Sequence, residues 1–364
     1  MKKYLFVIPS LSKGGAERVV SVLSSELTNQ DREAVVVTHF FAENEYPVDP
    51  KVKVICLSGL KEKDYRDRMS PFYLLKLAKK LKKAILSEKP DYILPFLWTT
   101  CIRTDIALKT SSLKKKVIQT VRNNPNQFPR KKMMKKYRDK LVKCSRITIV
   151  QNEDQKKYFP EKFGDKIFVM PNPVSDSVFQ IKRKLSDELF KIVAVGRLES
   201  QKNFPLLIRA VAELNKSRKN IRLDIFGEGS LREELQDLIT KNGLDGIVTL
   251  RGRVNDYQTI YGDASAFVLS SDFEGMPNTL MEAMAVGLPC ISTDCPTGPS
   301  DIIQNEVNGL LIPVNGNTEL QEAVKKLMDQ PQKAAEMGVR AKESIKQKYS
   351  KDVICRLLIK ICEK

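Results

Sequence analysis

The sequence contains a single histidine among 364 residues, and its seven cysteines form no Cys-x-x-Cys pair. A Ser-His-Asp or Cys-His mechanism would therefore have to use His39. That residue falls within the apolar, strand-like stretch 34–41, which favours a buried position at a strand end. An odd, scattered set of cysteines is typical of reduced thiols and argues against a disulfide framework or a zinc site. We therefore expect a cytoplasmic protein whose cysteines serve packing.

Long hydrophobic runs are also missing. The apolar stretches 4–9 and 34–37 are too short to cross a bilayer, and Met1 leads into the first of them without a signal-peptide core. With 42% hydrophobic and 29% charged residues, the composition is that of a folded globular chain. At roughly 150 residues per domain, the length predicts two domains with sizeable cores.

The positive charge is concentrated in one part of the chain. The net charge is +18, yet residues 51–150 hold 27 basic and only 7 acidic residues, so that the rest of the chain is slightly acidic. Such asymmetry predicts an anionic partner for this region, namely nucleic acid, an acidic lipid surface or a phosphorylated substrate. A well-solvated face explains a single run of charges more easily than a whole segment.

Short β-branched runs alternate with longer amphipathic stretches, which predicts an α/β fold of βαβ units with parallel sheets. The predicted strands are 4–9, 34–40, 52–57, 92–96, 117–121, 146–151 and 166–170, and then 191–195, 222–226, 247–250, 266–270, 288–292 and 310–314. We expect two doubly wound domains, 1–173 and 191–345, joined by a Pro-, Ser- and Asp-containing linker at 174–190. The tail 346–364 reads as a helix that covers the second domain or crosses back to the first.

Three loops after predicted strands carry residues suited to binding a phosphorylated sugar. Gly14 and Gly15 open a helix, where free amides favour a phosphate, although a Gly-Gly pair is as often only a tight turn. Arg197 and Lys202 leave the first strand of the second domain, and two cations at this spacing suit a diphosphate; surface charges are an equally good explanation of that motif alone.

The third loop is the most specific. Glu274 and Glu282 flank a Gly-Met-Pro-Asn-Thr turn at a helix start, so a phosphate would meet the positive helix end while carboxylates accept hydrogen bonds from sugar hydroxyls. The alternative, a polar loop before a core helix, is weakened because the helix and the next strand are otherwise nearly uncharged.

The segments GGAERV at Gly14, VGRLESQKN at Val195 and FEGMPNTLMEAMAVGLPCIST at Phe273 resemble the motifs of the retaining glycosyltransferases of family 4. DCPTGPSDII at Asp294 is similar to a loop of members that build lipid-linked oligosaccharides and surface polysaccharides. The resemblance covers most of the chain. It implies the GT-B architecture, in which two Rossmann-like domains face each other across a cleft.

The resemblance also implies roles for individual residues. Arg197 and Lys202 would neutralise the departing diphosphate, Glu274 would contact the transferred sugar, and Glu282 would hold the ribose. We count Arg197, Lys202 and Glu274 as catalytic. The donor-binding set implied in this way is Gly14, Gly15, Gly227, Arg253, Val254, Met276, Pro277, Asn278, Thr279, Leu280 and Glu282.

One departure from the family pattern and one missing motif bear on the mechanism. The sequence has Arg122 and Asn123 where many relatives have a histidine near the reacting centre; this RNNP form is similar to hexosamine-transferring members with lipid-linked acceptors. No Asp-x-Asp occurs, so we expect no metal site and no cofactor.

Two basic stretches complete the picture. Residues 71–87 read as a helix with a stripe of lysines at helical spacing, and residues 130–143 as an interfacial helix with an apolar face. We expect both helices to hold the protein on an anionic membrane, and the lysine stripe to bind the diphosphate of the acceptor. A solvated Lys-rich helix explains either stretch alone equally well. The stripe consists of Lys76, Lys79, Lys80 and Lys83.

Together these features predict a retaining, metal-independent transferase at the inner face of the cell membrane. It would move a hexose or N-acetylhexosamine from a nucleotide sugar, with UDP as the expected nucleotide, to a polyprenyl-diphosphate-linked glycan. A relative with a soluble or teichoic-type acceptor is the same-fold alternative, and a 2-epimerase is disfavoured because the transferase loops are present. A nucleic-acid-binding protein would explain the basic region but not Glu274 and Glu282, and no RNA-binding or helix-turn-helix motif is seen, so we expect no nucleic-acid partner.

Overall fold

The computed structural model describes residues 1–12, 14–68, 70–184 and 188–364. They form two compact units, the first made of Met1–Pro173 with Lys351–Lys364 and the second of Val174–Ser350. The strand pairs within each unit are parallel, which confirms the predicted α/β class with two Rossmann-like domains. Within the described ranges, no helix combines the length and the apolar character that a transmembrane span needs.

The first unit contains two sets of hydrogen-bonded strands. The strands are β1 (Lys3–Ile8), β2 (Glu33–Thr38), β3 (Lys53–Cys56), β4 (Tyr92–Pro95), β5 (Ile118–Thr120), β6 (Ile147–Val150) and β7 (Ile167–Val169). Their orders are β3-β2-β1-β4 and β5-β6-β7, and a parallel bridge between Ile93 and Val117 links the two sets. Strand β1 is buried on both sides, as expected for a parallel sheet covered by helices.

Helices connect these strands. They are α1 (Gly15–Asn29), α2 (Glu62–Asp67), α3 (Pro71–Glu88), α4 (Trp98–Ala107), α5 (Lys132–Cys144) and α6 (Glu153–Lys157), with single-turn helices at Ser112–Lys116 and Glu161–Lys166. Helix α3 begins where Pro71 occupies the first turn and the Ser70 hydroxyl accepts a hydrogen bond from the Tyr73 amide at 3.2 Å. It buries Leu77, Leu81 and Ile85, so its lysine stripe faces solvent as predicted.

The prediction that residues 130–143 leave an apolar face free for a membrane is wrong for most of that face. Leu141 and Val142 of α5 are buried, and the Tyr137 hydroxyl donates to the Asp105 carboxylate at 2.6 Å. Of the residues expected to form the apolar face, Met133, Met134, Tyr137 and Leu141, only Met133 is largely exposed. The apolar residues of α5 pack on their own domain because the neighbouring strands need a helical cover, which leaves little of this face for a membrane.

The second unit is built on one sheet. Its strands are β8 (Phe190–Val195), β9 (Ile221–Phe226), β10 (Val248–Gly252), β11 (Ala266–Leu269), β12 (Cys290–Thr293) and β13 (Leu310–Ile312). Their order is β10-β9-β8-β11-β12-β13, so the chain leaves β8 to one side and later returns to pair β11 on its other side. This reversal makes the carboxyl ends of β8 and β11 the switch point at which doubly wound folds bind ligands. Each predicted strand of both units overlaps an observed strand.

The helices of the second unit cover both faces of this sheet. They are α7 (Asp176–Phe179), α8 (Phe204–Ser217), α9 (Arg232–Lys241), α10 (Tyr257–Tyr261), α11 (Asn278–Val286), α12 (Pro299–Ile302), α13 (Asn317–Asp329) and α14 (Pro331–Tyr349), with a single turn at Ser200–Lys202. Two apolar clusters, one on each side of the sheet, form its core. Helix α11 ends at Gly287, whose φ of +91° suits a glycine cap.

The segment expected to be a linker is partly built into the second unit. Val174 and Val178 are buried in its core, and the Val174 amide donates to the Tyr349 carbonyl at 2.8 Å. Residues 185–187 of the expected linker lie outside the described residues. The linker expectation therefore does not hold for residues 174–184, because their apolar side chains have partners in that core.

The tail is divided between the two units. Residues 346–349 complete α14, and the last helix, α15 (Lys351–Cys362), belongs to the first unit. There α15 packs beside α1, burying Ile354, Leu358 and Ile361 in the core that includes β1. Arg32 pairs with Glu363 at 2.8 Å on the same unit. Of the two expectations for the tail, the one that places its last helix on the first domain describes this structure.

Candidate active site

The loops at the carboxyl ends of β8 and β9 lie in direct backbone contact. A Cβ atom added to Gly227, whose φ is +147°, would lie 1.8 Å from the Gly196 carbonyl oxygen. A Cβ on Gly229 would lie 2.3 Å from the Leu198 carbonyl oxygen. Only glycines permit this approach. The predicted residue Gly227 is therefore a packing position that shapes the loop carrying Arg197 and Lys202.

The loop after β8 is tied to the loop after β11 by several hydrogen bonds. The Asp272 amide donates to the Gln201 carbonyl at 2.9 Å, and the Gln201 side-chain amide donates to the Phe273 carbonyl at 2.9 Å. The Ser270 hydroxyl donates to the Lys202 carbonyl at 2.8 Å, and Asn203 Nδ2 donates to Asp272 Oδ1 at 2.8 Å. These contacts hold the two predicted motifs against each other at the switch point.

Lys202 and Glu274 form an ion pair within this junction. Lys202 Nζ lies 2.7 Å from Glu274 Oε1, and the two side chains are only 14% and 7% exposed. The Ser271 hydroxyl donates to the same carboxylate oxygen at 2.7 Å. Gly196 makes room for the lysine, because a Cβ there would lie 2.8 Å from Lys202 Cε. The cation and the carboxylate are thus held as one buried unit.

Arg197 is placed differently from Lys202. Its side chain is exposed, and Nη2 donates a long hydrogen bond to Gln201 Oε1 at 3.5 Å. The structure therefore brings Lys202 and Glu274 together but leaves Arg197 at the surface of the same loop. An exposed guanidinium of this kind is accessible to an anion that enters the site.

Helix α11 begins directly after the Glu274 loop. Its N-cap position is Pro277, which provides no side-chain hydrogen bond, while Leu280 is buried and Asn278 and Thr279 are partly exposed. A helix start without a side-chain cap carries a partial positive charge that favours an anion. The loop of residues 294–298 packs on this turn: the Thr297 hydroxyl donates to the Glu274 carbonyl, and a Cβ on Gly298 would lie 2.7 Å from Pro277 Cδ.

Glu282 lies one turn further along α11 and is 4% exposed. The fully buried Tyr261 of α10 donates from its hydroxyl to Glu282 Oε2 at 3.2 Å, and stacks on Tyr257 with ring centroids 6.4 Å apart. Sequence reasoning missed Tyr261. Its helical spacing from Tyr257 indicated two aromatic rings on one helix face, but no local signal links that face to a carboxylate twenty-one residues away.

Met276 is buried in the second unit's core, and two further predicted donor residues lie on the loop after β10. Arg253 is exposed, while Val254 is partly buried against the core of this unit. Val254 and Phe226 also line a pocket of about 570 Å³ whose walls carry Lys191, Asp224 and Arg251. Lys191 Nζ forms an ion pair with Asp224 Oδ2 at 2.9 Å, and Arg251 Nε forms one with Asp224 Oδ1 at 2.9 Å. The charges of this wall are therefore largely paired with one another.

The predicted residues of the first unit lie at several places on that unit. Gly14 precedes α1 and Gly15 is its first residue, and a Cβ on Gly14 would lie 2.5 Å from Glu17 Oε2. Burial raises the pKa of the Glu17 carboxyl above its ordinary value. Asn123 is half-buried after β5, next to Arg122.

In the part of the chain that the structure describes, no group of three or more Cys, His, Asp or Glu side chains has the arrangement of a metal site.

Comparisons with known proteins match a different family description to each half of the chain. Residues 177–344 match the family described as Glycosyl transferases group 1, and residues 13–178 match Glycosyltransferase Family 4. The chain is 31% identical over 280 residues to an uncharacterized glycosyltransferase of Methanocaldococcus jannaschii, covering 71% of this chain and 68% of that protein.

Another relative comes from Campylobacter jejuni. It is 26% identical over 352 residues, 95% of this chain and 94% of that protein, and is named a GalNAc-alpha-(1->4)-GalNAc-alpha-(1->3)-diNAcBac-PP-undecaprenol alpha-1,4-N-acetyl-D-galactosaminyltransferase. The crystal structure of Anabaena Alr3699/HepE in complex with UDP and glucose superposes with a TM-score of 0.81 at 16% identity, over all of both chains.

The two doubly wound units and these structural neighbours define a protein of the GT-B class, as predicted. Its loop motifs and its relatives identify the family within this class. The chain belongs to the GT-B glycosyltransferases, with an amino-terminal domain of family 4 and a carboxyl-terminal domain of group 1.

Proposed function

We propose that the protein is a retaining glycosyltransferase that moves a hexose or N-acetylhexosamine from a UDP-sugar to a polyprenyl-diphosphate-linked glycan. The observation that carries the donor half is the buried Lys202–Glu274 pair, 2.7 Å apart, whose glutamate lies in the loop before the start of α11. It combines a cation, helix-start amides and a carboxylate at the switch point of a doubly wound sheet. This set suits an anionic leaving group attached to a hydroxyl-rich sugar.

The donor diphosphate would lie against the start of α11, near Asn278, Thr279 and Leu280. The Lys202 ammonium has three N–H donors, of which Glu274 accepts one, so the same group can also donate to phosphate oxygens. Arg197, exposed on the same loop, would close on the diphosphate as negative charge develops. Glu282, oriented by Tyr261, would accept hydrogen bonds from the ribose.

The proposed reaction breaks the bond between the anomeric carbon and the donor phosphate oxygen and forms a bond from that carbon to the acceptor oxygen. The acceptor hydroxyl would attack from the face that the diphosphate leaves, and a phosphate oxygen of the leaving group would take its proton. Glu274 would hold the transferred sugar without becoming a covalent nucleophile. Protein cations would carry the leaving-group charge, so no metal ion is required.

Helix α3 supports the acceptor half of the proposal. Its exposed side combines the basic residues Lys76, Lys79 and Lys83 with Phe72 and Leu75, which are 85% and 55% exposed. Lys80 is also exposed, although its Nζ donates to the Leu57 carbonyl at 2.7 Å. Apolar and cationic residues on one helix side suit the inner surface of an anionic membrane and the diphosphate of a lipid-linked acceptor.

The Campylobacter jejuni relative, whose name includes a PP-undecaprenol acceptor, favours this acceptor class over a soluble or teichoic-type polymer. Arg122 and Asn123 would contribute to the acceptor side from the end of β5, and Gly14 and Gly15 to the donor phosphates from the start of α1. We propose no nucleic-acid partner, since the proposed lipid diphosphate accounts for the basic region.

A two-stage experiment tests this function. Thermal-shift measurements with UDP-GalNAc, UDP-GlcNAc, UDP-glucose and GDP-mannose should identify a donor that raises the melting temperature. That donor is then incubated with a short-chain polyprenyl-diphosphate N-acetylhexosamine, and the product is analysed by mass spectrometry and by NMR of the new anomeric centre. One added sugar with the donor's anomeric configuration is expected. Transfer only to poly(ribitol phosphate), or filter-binding to RNA without transfer, would contradict the proposal.

A further inference from the structure

The carboxyl ends of four strands in the first unit surround one arginine. Phe96 follows β4, Arg122 lies two residues after β5, Gln151 follows β6, and Asn172 lies three residues after β7. These strands are neighbours, since β5-β6-β7 form one set and Ile93 of β4 bridges Val117, which directly precedes β5. The carboxyl edge of a doubly wound sheet is where such folds bind ligands.

Across the residues that the structure describes, the contacts of the Arg122 guanidinium are all with uncharged groups. Nη1 makes long hydrogen bonds to the Asn172 Oδ1 at 3.4 Å and to the Met170 carbonyl at 3.5 Å, and the Phe96 ring centroid lies 4.5 Å from the guanidinium carbon. Asn172 Oδ1 also accepts from Gln151 Nε2 at 3.1 Å. The amide network orients Arg122 from one side but brings no negative charge to it.

The opposite edge of the same guanidinium is unsatisfied. Among the described residues, Nε and Nη2 of Arg122 are buried and have no hydrogen-bond partner. Burial lowers the pKa of Arg122 to about 9, and no neighbouring carboxylate offsets that effect. Nε and Nη2 point in the same direction, and this is an edge with which arginine binds two oxygens of a phosphate or carboxylate. A buried cation with no counter-charge destabilises the free protein.

We propose that the Nε and Nη2 edge of Arg122 binds two oxygens of a substrate diphosphate. The inference rests on the proposed function, because the donor and the acceptor of that reaction both carry a diphosphate. The shared chemistry is a phosphate anion held bidentately at the end of β5. Both nitrogens are covered in this structure, so the anion displaces the covering groups as it binds.

The test is calorimetric and uses the full-length protein with two probes, UDP for the donor and farnesyl diphosphate for the acceptor. Arg122→Gln should weaken one of the two by about 10- to 100-fold, the usual effect of losing hydrogen bonds to a charged group. The affected probe identifies the source of the diphosphate. Arg122→Lys should recover only part of the affinity, because an ammonium cannot copy the two-pronged edge. The matched control is Arg146→Gln, an exposed arginine just before β6, which should leave both affinities unchanged.

Melting temperature separates binding from structural support. Removing an unpaired buried cation should leave the melting temperature of the free protein unchanged or raised in Arg122→Gln. Equal affinity of wild type and Arg122→Gln for both probes, or no binding of either probe by the wild type, would overturn the inference. A large fall in melting temperature would overturn the unpaired-cation argument. Sugar transfer by the wild type is measured separately, so the proposed function stands or fails on a different result.

Discussion

Lys202 Nζ lies 2.7 Å from Glu274 Oε1, although the two residues are 72 positions apart in the chain. The proposed roles give one residue the leaving diphosphate and the other the transferred sugar. Their contact means that neither group acts alone. The lysine neutralises a buried carboxylate, and the carboxylate holds the ammonium at the switch point of the sheet.

This pairing predicts strongly non-additive mutations. Lys202→Met and Glu274→Gln should each lower the turnover number by about 100-fold or more, because each removes a preorganised group at the developing charge. The double variant should lose little more than either single variant, since the residues act as one unit. Steady-state kinetics of the three variants measures this coupling. A double variant whose loss of turnover equals the product of the two single losses would contradict it.

Two comparison variants make the result interpretable. Lys216→Met breaks the exposed pair with Glu213, whose side chains are 70% and 49% exposed, and should change neither turnover nor melting temperature. Arg197→Ala should lower turnover without lowering the melting temperature, because Arg197 is exposed. Near-normal turnover of Arg197→Ala would remove that residue from the mechanism.

Tyr261 is expected to act on nucleotide binding through Glu282. Glu282→Gln should weaken UDP binding, and Tyr261→Phe should weaken it by a smaller factor of about 3 to 10, the effect of one lost hydrogen bond. Glu274→Gln should spare UDP affinity while reducing transfer. Isothermal calorimetry with UDP checks all three variants. Weaker UDP binding in Glu274→Gln with normal binding in Glu282→Gln would mean that the two carboxylate roles are reversed.

The exposed side of α3 is expected to serve the lipid-linked acceptor. Replacing Lys76, Lys79, Lys80 and Lys83 with Gln should raise KM for a diphosphate-linked acceptor and leave donor hydrolysis intact. Binding to vesicles that contain anionic lipid should also fall in this variant, and wild-type binding should weaken as salt rises.

The matched control replaces Lys333, Lys346 and Lys348, which are exposed on α14 of the second unit. This variant should keep the wild-type KM for the acceptor and the wild-type binding to anionic vesicles. Unchanged acceptor kinetics in the α3 variant would exclude the diphosphate role of the stripe, whereas vesicle binding that ignores salt would exclude only the membrane role.

Transfer is expected to continue without divalent metal. The proposal gives the leaving diphosphate to Lys202, Arg197 and the start of α11, and the sequence has no Asp-x-Asp. Initial rates should therefore persist after dialysis against excess chelator. A rate that vanishes and returns only with Mg²⁺ or Mn²⁺ would contradict this prediction.

His39 should make the protein less stable in mild acid. Burial, with Arg103 as a second cause, lowers the pKa of His39 to about 3. The unfolded chain therefore binds a proton below about pH 6.5 that the folded chain does not, so stability is lost as pH falls through that range. Between pH 7 and pH 5 this histidine accounts for about 2 kcal/mol of the loss. His39→Gln should show a correspondingly flatter pH dependence in urea unfolding, and an identical slope would contradict the assignment.

Much of the fold could be predicted because the signals are local. Alternation of β-branched runs and amphipathic stretches located every strand to within a few residues, and the helix predicted at residues 71–87 is observed as α3. The functional motifs were also local, since each is a short stretch of the sequence, and the loops that carry Gly14, Arg197 and Glu274 follow strands. Burial of His39 followed from its place in an apolar run.

Sequence patterns did not predict which distant residues meet. The contacts between Lys202 and Glu274 and between Tyr261 and Glu282 depend on the strand order that sets β8 beside β11, and no single segment records that order. The same applies to α5, whose apolar face packs inward, and to α15, which joins the first unit. Periodicity states that a helix has an apolar face, but only the tertiary structure decides what covers it, because burial is a competition among all apolar surfaces of the chain.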